Sequence, residues 1–103
     1  MIHWMFRYKV KKDKLEEVGS ALMEYVNELK LKEPGILLYD VYQEVNDPTS
    51  SVTVITIKDE ATRDEWIHAP HTEKLGSVLY PNCEKPPIRT IYKLVASKTS
   101  VSD

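Results

Sequence analysis

The sequence predicts an α+β domain in which a four-stranded antiparallel sheet carries its helices on one face. Three observations lead there. Apolar residues alternate with period two in four separate stretches, the pattern of strands with a buried face. Between the first and second of these, the apolar positions move onto a helical stripe. The two middle stretches are joined by a short run of turn formers, "NDPTSS", which suits an antiparallel hairpin.

The first strand covers residues 2 to 10. Ile2, Trp4, Phe6, Tyr8 and Val10 point one way, and His3, Met5, Arg7 and Lys9 the other. Leu15, Val18, Leu22, Tyr25, Val26 and Leu29 then form the apolar stripe of a helix, with Glu16, Glu17, Glu24 and Glu28 off it as a solvated face. Asp13 followed by Glu16 has the form of a capping box, so this helix is predicted to start near Asp13. Pro34 and Gly35 lie just past its end. In "ILLYDVYQEV", Leu37, Tyr39 and Val41 share one face and Leu38 and Tyr42 the other, with Asp40 between them. "VTVITIK" is a strand apolar on both faces through Val52, Val54, Ile55 and Ile57. Glu60 to Ile67 reads as helical. Pro70 lacks an N–H and fits the first turn of a helix, so the chain is predicted to break near Ala69 and restart, running to about Leu79. "YPNCEKPP" is a loop, and "IRTIYKLVA" is the last strand. The order βαββ(αα)β is that of the ferredoxin-like, split βαβ arrangement.

Helices cover only one face of such a sheet, yet the middle strands are apolar on both. A second copy over the far face accounts for this, and a two-fold homodimer is the expectation. The 103 residues suit one domain, assigned to 1–96, with a polar C-terminal tail, 97–103, expected to be flexible. Fourteen basic residues against 16 acidic ones leave a net charge of −2 with no basic stripe, which argues against a nucleic-acid partner. One cysteine, Cys83, excludes an intramolecular disulfide and fits a reducing compartment. No apolar run reaches the roughly 20 residues that span a bilayer, and "MIHWMFRYKV" lacks the form of a signal peptide. A cytoplasmic location without a membrane partner is the expectation.

The stretch "DEWIHAPHTEKLG", residues 64–76, concentrates chemistry-bearing side chains. His68 and His71 are three apart, but Pro70 interrupts the helix between them. A zinc pair on a helix also needs carboxylate or thiolate company, so no metal site is assigned. His71 is read in two ways: as a helix-start residue bonding a nearby group, or as a pocket base, since imidazole titrates near neutrality. His68 is expected to face solvent. Trp66 is a large packing residue whose indole N–H needs a partner, and equally a wall for a flat aromatic ligand. Tyr39, Tyr42, Asp40 and Arg7 are further strand residues able to face a cavity. No nucleophile elbow and no glycine-rich phosphate loop is present, so nucleotide cofactors are not expected.

"EPGILLYDVYQEVNDP" and, after a strand, "DEATRDEWIHAPH" together resemble the antibiotic biosynthesis monooxygenase family over about residues 2 to 96. Glu33, Pro34, Gly35, Tyr39, Asp40 and Tyr42 match that family's Glu-Pro-Gly-x-x-x-Tyr-Asp-x-Tyr run. Pro70 and His71 match its His-x-x-Ser-Pro-His run, with Ala69 for the Ser and Trp66 where the first His is common. Where many members have Glu-x-Trp on the third strand, Ile55 and Ile57 stand here. The resemblance implies a dimeric α+β barrel with a pocket between sheet and helices in each subunit. It implies a monooxygenase needing no cofactor, acting with O2 on a phenolic, quinol or anthrone-like aromatic. The alternative is a binding or stress-associated dimer that kept the fold without the chemistry. The haem-degrading branch carries an Asn near Phe6 and an axial His at the place of Gly76, so haem is not expected. On the oxygenase reading, His71 is the base or its proton relay, Trp66 the ring-facing wall, and Tyr39, Arg7 and Trp66 bind the substrate, with Tyr39 or Arg7 as partner for its oxyanion.

Overall fold

The computed structural model describes residues 1–99. Its elements are β1 (Ile2–Lys9), α1 (Leu15–Lys32), β2 (Ile36–Gln43), β3 (Ser50–Ile57), α2 (Glu60–Trp66), α3 (Pro70–Leu79) and β4 (Ile88–Tyr92), with short 3₁₀ turns at Lys12–Lys14 and Tyr80–Asn82. The sheet runs β2-β3-β1-β4, and every neighbouring pair is antiparallel. This is the ferredoxin-like α+β architecture. The outermost residues of the expected tail, 100–103, lie outside the described residues; within it, Ser97 Oγ bonds the Thr99 hydroxyl and accepts from its backbone N–H.

Alternation along the strands decides which side chains meet the helices. Trp4 on β1, Ile55 and Ile57 on β3, Tyr25 and Leu29 on α1, Trp66 on α2 and Leu75 on α3 form one buried cluster. Tyr8, Val10, Val18, Leu79 and Cys83 form a second, under the last turn of α3. The mixed strand–helix membership of both clusters shows that all three helices close over the same face.

Four local features differ from the expectation. Asp13 does not cap α1. It is taken into a 3₁₀ turn closed by Lys14 N–H donating to the Lys11 carbonyl, and α1 begins at Leu15 with no side-chain cap. Glu16 and Glu17 in its first turn still complement the positive end of the helix dipole. On β2, a bulge between Ile36 and Leu38 breaks the alternation, so Ile36 rather than Leu37 packs with Tyr39 on the core, and Leu37 is exposed. β1 ends at Lys9, leaving Val10 as an isolated bridge to Cys83. β4 stops at Tyr92 because Tyr92 pairs with His3, and β1 begins only one residue earlier. Leu94 and Val95 therefore have no strand to extend along.

The far face of the sheet carries Leu38 and Tyr42 from β2 and Ile88 and Tyr92 from β4, all exposed, around half-buried Met5, Val52 and Val54. Among the described residues no helix covers it. No described helix is long and apolar enough to cross a membrane.

Candidate functional site

The break at residues 67–69 organises the site. Asp59 caps α2 by accepting from Thr62 N–H at 2.8 Å, and α2 ends at Trp66. Ala69 is extended (φ −64°, ψ 144°) and Pro70 opens α3. Trp66 thus closes one helix and His71 starts the next. His68, between them, is exposed.

Trp66 is buried, and its Nε1–H donates to Tyr25 Oη at 2.7 Å. With its oxygen accepting there, Tyr25 can donate to Thr72 Oγ1 at 2.9 Å. One hydroxyl thereby ties α1, α2 and α3 together. Burial pushes the Tyr25 pKa up to about 12, against the pull of its hydrogen bonds with Thr72 and Trp66.

The cavity between these elements has a volume of about 130 Å³ and is partly open to solvent. Trp4, Phe6, Tyr25, Tyr39 and Trp66 supply its aromatic wall, Ile55, Leu75 and Leu79 its aliphatic wall, and Gly76 and Tyr80 its α3 side. Its polar side-chain atoms belong to tyrosine and threonine hydroxyls and two indoles; among the described residues no carboxylate, imidazole or amine lines it. Tyr8 Oη and Thr53 Oγ1, 2.9 Å apart, satisfy one another. Tyr39 stacks edge-on against Tyr25, with centroids 5.3 Å apart at 71°. Burial holds the Tyr39 hydroxyl well above its ordinary pKa, and nearby Tyr25 adds to this. It is therefore a neutral donor at any physiological pH.

His71 stands behind this wall rather than on it. Its ring lies 6.1 Å from that of Tyr25, and Nε2 is 2.9 Å from Glu33 Oε2. Both side chains are mostly buried, 11% and 17% exposed. The Glu-Pro-Gly run thus meets the Pro-His run directly: Glu33 holds His71, while Gly35 lies so close to α2 that an added Cβ would stand 2.5 Å from Thr62 Cγ2.

The structure brings Trp66 and Tyr39 to one cavity and places His71 next to it. It does not bring Arg7 there. Arg7 pairs with Val52 and Ile88 across the sheet, so strand alternation puts it on the far face, where Nη1 donates to Tyr92 Oη at 3.3 Å. Asp40 and Tyr42 share that far face and bond one another at 3.3 Å. Tyr25 was legible only as a helix-stripe residue. The available signal was a phenol among aliphatic stripe positions, since a buried hydroxyl must find partners. Among the described residues no three His, Cys, Asp or Glu side chains converge to hold a metal ion.

A ferredoxin-like sheet with three helices on one face and an aromatic-lined cavity between them defines a class of small α+β domains. Within it, the chain belongs to the antibiotic biosynthesis monooxygenase family, whose model matches residues 1–75. The fold superposes on that of a protein described as an antibiotic biosynthesis monooxygenase with a TM-score of 0.84 at 20% identity, covering 93% of this chain and 100% of the other. A conserved protein from Methanosarcina mazei Go1 gives 0.81 at 28% identity, over 89% and 90% of the two chains. A Mycobacterium tuberculosis protein gives 0.83 at 15% identity, over 95% and 98%. No curated protein matches the sequence.

Proposed function

We propose that this protein is a cofactor-independent monooxygenase of a single-ring quinol or phenol, working as a homodimer. The observation that carries the reading is the partly open cavity of about 130 Å³ with aromatic walls and un-ionised hydroxyls. A cavity of roughly 150 Å³ accepts benzene; this one is of about single-ring size, and its open side leaves room for substituents. Family membership supports oxygenase chemistry, and the far-face apolar residues support a second copy across the sheet.

A quinol can act as its own reductant. Hydroquinone plus O2 gives hydroxybenzoquinone plus water: one oxygen atom enters the ring, the other leaves as water, and the substrate supplies all four electrons. The protein's tasks are to ionise the phenol, hold the ring and exclude bulk water. Trp66 is the ring-facing wall. Tyr39, kept protonated by burial, donates to the developing phenolate. His71, beside the wall with its ring 6.1 Å from that of Tyr25, is the proton acceptor in this reading. With its Nε2–H turned to Glu33, Nδ1 carries the lone pair, and the carboxylate stabilises the imidazolium that forms.

Oxygen uptake with hydroquinone, measured against the uncatalysed rate, tests this. His71→Ala is expected to slow it by about 10²–10⁴-fold, the range for a positioned acid or base, while His68→Ala leaves it unchanged. The base-free cavity wall favours one second reading, a domain that binds the ring without turning it over. Saturable binding with oxygen uptake no faster than the buffer blank would establish that reading instead.

A further inference from the structure

We propose that Trp4 is the hydrogen-bond donor that anchors a ligand in this cavity, and that it selects rings bearing an acceptor oxygen. The proposal rests on the cavity being a ligand site. Trp4 is 4% exposed, lines the cavity, and its Nε1 is buried without a hydrogen-bond partner among the described residues. Buried side-chain donors are satisfied in the large majority of cases, so an orphan N–H in a residue that lines a cavity asks for an acceptor from outside the chain, reached once the groups now covering that atom shift.

The contrast with Trp66 sharpens this. The two indoles face one another with centroids 5.9 Å apart at 45°. The N–H of Trp66 is consumed by Tyr25, so it offers a ligand only its ring. Trp4 offers ring and N–H together. Its ring is also held in place, by Phe6 edge-on at 6.1 Å and by the Arg89 guanidinium 4.6 Å from the ring centroid. A donor fixed in advance loses little freedom when it binds. Indole N–H donates and cannot accept, so it recognises a carbonyl or phenolate oxygen and gives nothing to an ammonium or a plain hydrocarbon. The nearby Arg89 charge adds a bias toward an anionic oxygen.

Acetophenone and cumene test the assignment, being single rings of similar size and branching, with and without a carbonyl oxygen. In the unsubstituted protein, acetophenone should shift the Trp4 indole proton resonance strongly downfield and leave that of Trp66 nearly in place, and cumene should move neither in that way. Trp4→Phe keeps a ring and removes the donor. It should weaken acetophenone binding by about tenfold, one ordinary hydrogen bond, and change cumene binding little. If both probes bind but weaken equally in Trp4→Phe, or the Trp4 indole resonance ignores acetophenone, the anchoring role is wrong while the cavity stands as a ligand site. If neither probe binds at millimolar concentration, the cavity reading fails and the anchor with it.

Discussion

His71 Nε2 lies 2.9 Å from Glu33 Oε2, bridging the first turn of α3 to the connection between α1 and β2. Two sequence runs 38 residues apart are thereby a single structural unit. The pairing explains why Glu precedes Pro-Gly at the end of α1: its carboxylate is the partner that a mostly buried imidazole requires. Glu33→Ala, His71→Ala and the double variant should therefore couple. Denaturant unfolding is expected to show a non-additive energy of about 0.5–3 kcal/mol, as for groups in one hydrogen-bonded network; additive losses would show the pair to be incidental.

Tyr25→Phe removes the oxygen that accepts from Trp66 and bonds Thr72. The Trp66 N–H is then buried without a partner. A stability loss of about 1–3 kcal/mol is expected, the cost of an unsatisfied buried donor. Hydrogen exchange at the Trp66 indole should quicken in the same variant.

Gly35→Ala should be disfavoured for reasons of space rather than backbone strain, since no glycine has a positive φ. The new Cβ would meet Thr62 Cγ2 at 2.5 Å and Oγ1 at 2.9 Å. Thr62 is β-branched and sits in the first turn of α2, so its rotamers are few. A loss of about 1–3 kcal/mol, typical of overpacking, is expected in thermal or denaturant unfolding, and Thr62→Ser should recover part of it.

Alkaline pH should unfold the protein through its buried phenols. Burial raises the pKa of Tyr8, Tyr25 and Tyr39. An unfolded tyrosine ionises at about pH 10, whereas folded Tyr25 keeps its proton until about 12. Between those values the native state holds more protons than the unfolded one, so stability falls as pH rises, by up to about 1.4 kcal/mol per pH unit for each such group. The contribution is whole below the unfolded pKa and is lost through the folded one. Unfolding midpoints followed through this window, beside tyrosinate absorbance, should show ionisation and unfolding together, with a shallower slope for Tyr25→Phe.

The far face of the sheet should be covered in solution. Light scattering at micromolar concentration is expected to give about twice the 11.9 kDa of one chain. Ile88→Glu puts a charge on the edge strand of that apolar face and should shift the mass toward the monomer. A monomer for the unsubstituted chain would overturn the barrel arrangement.

The sequence alone determined the elements and their order. Period-two alternation marked β1 and β3, a helical stripe marked α1, and Pro70 marked the break between α2 and α3, because each of these signals is a local property of the chain. It also brought Trp66 and His71 into one short region. Tertiary structure decided the rest. The bulge that turns Ile36 rather than Leu37 to the core depends on pairing with β3, and the end of β4 depends on where β1 begins. Arg7 and Tyr39 both looked able to face a cavity, and only sheet register shows that they lie on opposite faces. The difference between the two tryptophans, one N–H bound to Tyr25 and the other without a partner, arises from contacts between residues distant in the chain. Hydrogen-bond satisfaction of that kind has no local pattern, because a buried donor is completed by whichever group the fold carries to within about 3 Å of it.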